Sequence, residues 1–561
     1  MAAVAVLTVA TLPPARVALS PSDDGTVAGV IHIHSNRSDG RGSPDEIAEA
    51  AARAGLKFLV FTDHGDATRV PDPPTYRHGV LCIDAVEIST SGGHYLALDM
   101  PIAPYPLAGE PRDVVEDVAR LGGFGVPAHP DSPKPELRWR EWDAPFPGME
   151  IINPDTGWRA RAQAAGWRPK LRLVERLFSY PFRPGETIAS FVAVSPENLA
   201  RWEALTRRRK VVALAGADAH AKLAIKSSEP GDNRFSVALP SYEASFETLS
   251  VHVRPDAPLS ASSAAAADAA AILHGIRDGH VYIVVDGLAS PPSFTFTAEG
   301  SGKTAGEGDA IVVPAGGAPV TLHVKNNATF AFTTTNWQGA RAIAAGNQPD
   351  LSVQASSEPA VYRVEIRASD RAHALWLISN PIYVRSSTAE GPIPDRGPLT
   401  QATSILEGRT ATAWRVEHDP SSTGSLGTLG TPPEALQLTY RLAAARSPQT
   451  YAALLTEIPE GVGANTRLAF TAHADRPMRL SVQLRTGVSG MPEERWQRSV
   501  YLDTADRDEA IDFDDFTPVG DPRTSRPALN EIRYVLFVVD TTNTKPGTAG
   551  QVVISHPAIG R

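Results

Sequence analysis

The chain has 561 residues, 42% hydrophobic and 21% charged. That is ordinary globular usage, with room for three or four domains of about 150 residues, and it excludes a disordered or fibrous chain. Its net charge, 53 − 63 = −10, excludes a general nucleic-acid binder. The single cysteine, Cys82, excludes an intrachain disulfide, a cysteine zinc site and an iron–sulfur cluster, so any metal must be held by His and carboxylates.

Residues 1–26 read as an N-terminal tail or a degenerate signal segment. Ala2 to Leu12 is mostly apolar, but no Lys or Arg precedes it and the first basic residue is Arg16. An extracytoplasmic location, periplasmic or secreted, is favoured over a cytoplasmic one. No run approaches the roughly 20 apolar residues of a membrane span. From 27 to 288, short apolar runs such as Phe58–Phe61, Gly125–Ala128 and Val211–Leu214 alternate with helical patterns, which predicts βα units. Ser43, Pro44 and Glu46 mark a helix start with a capping box, and Gly55 its end. The Ala-rich tract 264–271 runs on into Ile272, Leu273 and Ile276 and predicts another helix. From 289 to 388 the pattern is alternation. Tyr362, Val364 and Ile366 are expected in a core, with Arg363, Glu365 and Arg367 in water. After a Gly/Pro linker near Glu390–Pro398, the alternation of Leu436, Leu438, Tyr440 and Leu442, and of Leu480, Val482 and Leu484, predicts a second β-sandwich over 395–561.

The chemistry lies in the histidines. Of 15, His32, His34, His64, His94, His129 and His220 fall at or near the ends of apolar runs. Val30-Ile-His32-Ile-His34 puts two imidazoles on one side of a strand, and Asp218-Ala-His220 repeats the spacing. Asp39 follows the first pair by five residues, and Glu87 ends the run around Ala85 and Val86. A lone histidine is more often a core or capped residue than a ligand, which suits His78, His252, His323 and His473, but the set is not explained that way. Between Gly157 and Arg183 there are seven basic residues against one acid, Glu175, and five of the nine tryptophans lie between Trp139 and Trp202. This reads either as a basic, Trp-rich lid over about 134–205, with Arg159, Arg161 and Trp158 as substrate contacts, or as a solvated basic helix whose tryptophans pack it down.

The order His32-x-His34, Ser38-Asp39-Gly40, Thr62-Asp63-His64, Glu87, His94, Ala128-His129-Pro130 and Asp218-x-His220 resembles the polymerase-and-histidinol-phosphatase (PHP) superfamily. The resemblance implies a distorted seven-stranded β/α barrel with two or three divalent ions in its mouth. By it, His32, His34, Glu87 and Asp218 hold one ion, Glu87 bridges to a second shared with His94 and His129, and Asp39, His64 and His220 hold a third. Zn, Mn or Fe suits such ligands, and a hydroxide made at the ions by His32, His34, Glu87 and Asp218 is the expected nucleophile. Asp63 is expected either to orient the His64 imidazole or to make a plain structural hydrogen bond. The stretch Ala271–Val285 and the Ser379–Val384 ending are similar to the carbaryl-hydrolase branch, where an Ig-like sandwich follows the barrel. Arg495-Trp496, Phe513–Phe516 and Val538–Asn543 resemble galactose-binding-like jelly rolls that serve as carbohydrate-binding modules, which implies a glycan partner there.

The expected function is therefore metal-dependent hydrolysis of a small-molecule phosphoester. Carbamate or carboxyl-ester hydrolysis at the same metals, or a non-catalytic extracytoplasmic glycan-binding protein, are the alternatives.

Overall fold

The computed structural model describes residues 12–224, 236–260, 264–314, 319–356, 358–371, 373–386, 399–406, 413–430, 434–445, 450–487, 493–520 and 523–561. The apolar stretch before Leu12 and the linker 390–398 lie outside these. The chain is mostly β-sheet, with eight α-helices among the described residues, none long and apolar enough to cross a membrane. It divides into two compact units: Met1–Pro101 with Val114–Gly391, and Ile102–Asp113 with Pro392–Arg561.

In the first unit seven strands follow one another round a closed path. They are β1 (Val27–Ile33), β2 (Phe58–Phe61), β3 (Val86–Thr90), β4 (Gly93–Leu98), β5 (Phe124–Ala128), β6 (Gly148–Ile152) and β7 (Val212–Ala219). β1 pairs in parallel with β2 and with β7, and β7 pairs in parallel with β6. The chain past β2 meets β3 through a single parallel bridge, His64 to Glu87. β4 runs antiparallel between β3 and β5, and β5 lies beside β6. The expected succession of βα units is thus interrupted by one reversed strand.

The helix Pro44–Arg53 between β1 and β2 forms as the sequence predicts. Ser43 accepts the Glu46 N–H while Glu46 returns to the Ser43 backbone, a box worth about 1 kcal/mol. Ile47, Ala48 and Ala51 then bury one face. The Ala-rich helix runs Ala265–Asp278 and ends at Gly279 in the left-handed region, φ +72°.

The sandwich that follows is not a separate body. Its strand Ala374–Ser379 pairs with Val281–Val284, which in turn joins Ser250–Val253 and β1 in one sheet. Residues 16–26, expected in a loose tail, are also built in. Val17 and Ala18 pair with Ala289 and Ser290, and Leu19 is buried in the sandwich core. In strand Ala360–Ala368, Tyr362, Val364 and Ile366 are buried as expected, but Arg363 and Glu365 are buried too. Arg363 reaches Glu203 at 2.6 Å and also pairs with Glu365, which Arg367 meets at 2.8 Å. The opposite face is therefore closed by an ion cluster rather than wetted, because buried charges survive when each has a partner.

The second unit is a sandwich of two six-stranded antiparallel sheets around one core, into which Trp496, Phe513 and Phe516 pack. Leu436, Leu438, Tyr440 and Leu442 are buried as predicted. Met478–Thr486 is buried on both faces, including Arg479 and Arg485. Segment Ile102–Asp113 belongs to this unit. Arg479 meets Asp113 at 2.9 Å, Arg498 and Ser499 bond the same carboxylate, and Asn543 donates to the Pro106 and Ala108 carbonyls.

Candidate metal centre

All nine predicted ligands come together. His32 lies in β1 and His34 just past it, Asp39 on the following turn, and His64 beyond β2. Glu87 stands in β3 and His94 in β4, while His129 follows β5, Asp218 ends β7 and His220 comes next. Glu87, expected at a strand end, sits near the start of β3. The chain arrives there from strand Val80–Asp84, itself parallel to β2, so the carboxylate still lies beyond a strand running beside β2.

Simple alternation is not what aligns His32 and His34. His32 has φ +63°, and the pairing of β1 with β2 shifts register between Ile31 and Ile33. Asp218 (φ +49°) and His129 (φ +31°) are left-handed as well. Three non-glycine residues in this costly region within one site mark backbone held by its surroundings.

Glu87 is the hub. Its Oε2 lies 3.2 Å from His32 Nε2, 3.1 Å from His34 Nε2 and 3.5 Å from His64 Nδ1, and its Oε1 lies 2.7 Å from His94 Nδ1 and 3.1 Å from His129 Nε2. Asp218 Oδ1 is 3.4 Å from His32 Nε2, 3.5 Å from His34 Nε2 and 3.4 Å from His220 Nδ1. Asp39 meets His220 at 3.2 Å, His34 at 3.6 Å and His64 at 3.7 Å.

Four ligand groups have their donor atoms within 4.8 Å of one another: His34, Asp39, His64 and His220; His32, Glu87 and His129; His32, His34 and Asp218; and His64, Glu87 and His94. Both nitrogens of the fully buried His34 lack a hydrogen-bond partner. Orphaned imidazole nitrogens facing carboxylate oxygens fit a divalent cation, which would satisfy both kinds of group.

Electrostatics follow the same geometry. Burial opposes ionisation of Glu87, but the imidazoles of His32, His129 and His34 hold its carboxyl well below the usual range. Asp218, buried beside His32 and His34, and Asp39, half-buried beside His220, are held low in the same way. Burial works against protonated His220, yet Asp39 and Asp218 push it up to about 9. His64 goes the other way, lowered by burial more than Glu87 restores. The side chains of His64, Asp39 and His220 are a quarter to a third exposed, so this edge is the open one. A cavity of about 500 Å³ adjoins it, lined by His64, Arg37, Arg69 and Met100. Arg37 and Arg69 are both held by Asp72 and Asp84.

One residue of the centre has no counterpart among the predicted ligands. Glu150 on β6 is fully buried; its Oε1 lies 2.7 Å from His32 Nδ1 and its Oε2 accepts the His129 N–H at 2.6 Å and Asn153 Nδ2 at 3.2 Å. The available signal is a carboxylate inside the apolar run Gly148-Met149-Glu150-Ile151-Ile152. Gly216 makes room for it, since a Cβ there would fall 1.7 Å from Glu150 Oε1. Asp63, of the two roles open to it, takes the structural one. It accepts the Ser35 N–H and both the Ser35 and Ser38 hydroxyls at 2.7 Å, fixing the turn that carries Asp39.

The predicted substrate contacts are not brought to the nine. Trp158 Nε1 donates to Asp155 at 2.8 Å, Arg159 pairs with Asp155, and Arg161 donates to the Gly157 and Phe191 carbonyls. Local partners within and beside the helix Pro154–Gln163 consume these groups. The lid segment is helical, with Pro154–Gln163, Arg168–Ser179, Pro184–Ala189 and Pro196–Arg208 lying between β6 and β7.

No family model matches the sequence, and no curated protein matches it. Among solved structures, the chain is similar to a family 11 carbohydrate-binding module from Clostridium thermocellum, in complex with a β-1,3-1,4-mixed-linked tetrasaccharide. The identity is 14% and the TM-score 0.24, covering 28% of this chain and 93% of that one. A family 30 module of the cellulosomal cellulase Cel9D-Cel44B of the same organism shows 11% identity and a TM-score of 0.22, over 28% of this chain and 97% of that one.

Proposed function

We propose that the first unit is a metal-dependent hydrolase of the polymerase-and-histidinol-phosphatase type, with phosphoester cleavage as its reaction. The observation that carries this reading is one carboxylate, Glu87, ringed by five imidazoles, with Asp39 and Asp218 completing the neighbouring groups. The closed path of seven strands supports the barrel. His34, Asp39, His64 and His220 would hold one ion and His32, Glu87 and His129 another, while Asp218 groups with His34 and His32, and His94 with His64 and Glu87, one member of each set. Divalent cations held there would supply activation of water and neutralisation of charge growing on a phosphoryl oxygen. The chain's own part is to fix the donors. Glu150 takes the Nδ1 proton of His32 as a hydrogen bond and so leaves Nε2 facing Glu87 and Asp218. Asp39 and His64 stand at the open edge, where a substrate enters.

Metal analysis of the purified chain, with hydrolysis of p-nitrophenyl phosphate and p-nitrophenyl acetate in added Mn or Zn, tests this. At least one ion per chain and phosphate turnover are expected, both lost in His32→Ala and Asp218→Ala. Less than one ion per chain with no turnover sinks the reading, and turnover of acetate alone replaces it with ester hydrolysis.

A second reading, glycan binding, concerns the second unit, a sandwich of two six-stranded sheets. Its outer surface beside Arg479 and Arg498 is already covered by segment Ile102–Asp113. Glycan binding therefore has to use another surface. Affinity electrophoresis in mixed-linked β-glucan would show retardation if it does, and unchanged mobility removes the reading.

A further inference from the structure

The helix Arg168–Ser179 is amphipathic, and its apolar stripe is largely exposed. Trp167, Leu171, Val174, Leu177 and Phe178 are 45–67% exposed. Arg168, Pro169 and Arg172, one turn apart on a different face, line a cavity of about 870 Å³. Hydrophobic burial alone would place the apolar stripe inward. Arg168 and Arg172 line the cavity and stay open to solvent.

The other walls are apolar, with Ile151 from β6, Ala160 and Ala164 from the preceding helix, and Val194. Arg161 joins from that same helix. Burial and the nearby Arg172 guanidinium both pull its pKa down, as expected where cations gather without counter-charge. Among the described residues no carboxylate lies within ion-pair reach of Arg161, Arg168 or Arg172. The cavity's own acids are engaged elsewhere, Asp131 with Ser195 and Glu197 with Arg201 at 2.9 Å.

The cavity also touches the centre's supports. Asn153, on its wall, donates to Glu150, which meets His32, and Asp131 follows His129 by two residues.

We propose that this cavity binds an organic anion, a compact apolar body ending in a phosphate or a carboxylate. The site is separate from the candidate metal centre, none of whose nine residues lines it. The volume is that of a small-molecule site, and arginine forks suit either oxyanion. An anionic ligand would supply these arginines with the counter-charge that no described carboxylate gives them.

Isothermal titration of the full chain with phenylphosphonate, phenylacetate, inorganic phosphate and benzyl alcohol tests the proposal. One of the two aromatic anions is expected to bind, tighter than inorganic phosphate and tighter than benzyl alcohol, and the preferred one identifies the charged end. Arg172→Gln should weaken it about tenfold and the Arg168→Gln/Arg172→Gln pair about a hundredfold, with Arg172→Lys between. These side chains are solvent-accessible, so the variants should fold.

The same titrations in His32→Ala separate the two claims. Binding that survives there but falls with the arginines supports the cavity, even if no phosphate turnover is ever found and the hydrolytic reading fails. Binding that vanishes in His32→Ala and ignores the arginines overturns it, because the anion then sits on the centre. Equal binding of benzyl alcohol, or no binding of either aromatic anion up to about 10 mM, overturns it too.

Discussion

Glu150 shows how much of the centre depends on a residue that is not among the nine. Removing it frees the His32 ring and leaves the His129 N–H without its acceptor. Glu150→Ala should therefore lower divalent-ion affinity by about 10- to 100-fold, read by competition against a chelator, with circular dichroism unchanged. The clustering of the nine candidate residues was legible because His and Asp recur in pairs at the ends of apolar runs. Glu150 was not, since a single carboxylate in a strand looks the same whether it faces water or a buried imidazole. Glu110 carries a different consequence. Burial, reinforced by the neighbouring Asp113 carboxylate, pushes it from its ordinary 4.5 up to about 8. A carboxyl raised on folding contributes most when protonated in both states. Its contribution is full below about 4.5 and falls as pH rises to about 8. Glu110→Gln should then leave the melting temperature unchanged near pH 4.5 and raise it progressively up to pH 8. Thermal melts across that window measure this, and an even offset at all pH values would deny the titration.

At the level of elements, periodicity was read correctly where one face meets water and wrongly where both are buried. Leu436 to Leu442 alternates as expected, whereas Arg363 and Glu365 occupy a face that is dry, in contact with Glu203. Charged residues at alternate strand positions signal solvent on average, and only the tertiary partner reveals the exception. That partner sets the energetics. Arg363→Ala leaves Glu203 buried without its counter-charge and Glu365 with Arg367 alone, and should cost about 3–5 kcal/mol in chemical denaturation. Arg363→Met with Glu365→Leu should recover part of that loss. Helix termini were the most legible features. The Ser43 box, with Gly55 past the other end of the same helix, depends on a few adjacent residues and on nothing distant. The left-handed His32 was invisible for the opposite reason, because nothing in Val30–His34 announces that the strand breaks register there.

For the whole molecule, the sequence suggested a tail, an α/β part and two sandwiches in succession, but the chain forms two units. The first sandwich shares a sheet with the α/β part, so a boundary at 288 cuts through hydrogen-bonded strands. The second unit borrows Ile102–Asp113 from far upstream. A chain ending at 391 would deprive Asp113 of Arg479 and Arg498, and the Pro106 and Ala108 carbonyls of Asn543. Truncation there should lower the melting temperature or the soluble yield, and not merely remove an independent module. Light scattering and thermal melts of the shortened chain would show this, and an unchanged melt would mean that the segment stands alone.

The borrowed segment also sets a timetable for synthesis. A nascent polypeptide delivers Glu110 and Asp113 long before Arg479, Arg498 and Asn543 leave the ribosome. At some 5–20 residues per second the delay is tens of seconds. Throughout that interval two carboxylates destined for the interior must stay hydrated, which keeps the stretch soluble while it waits for its partners.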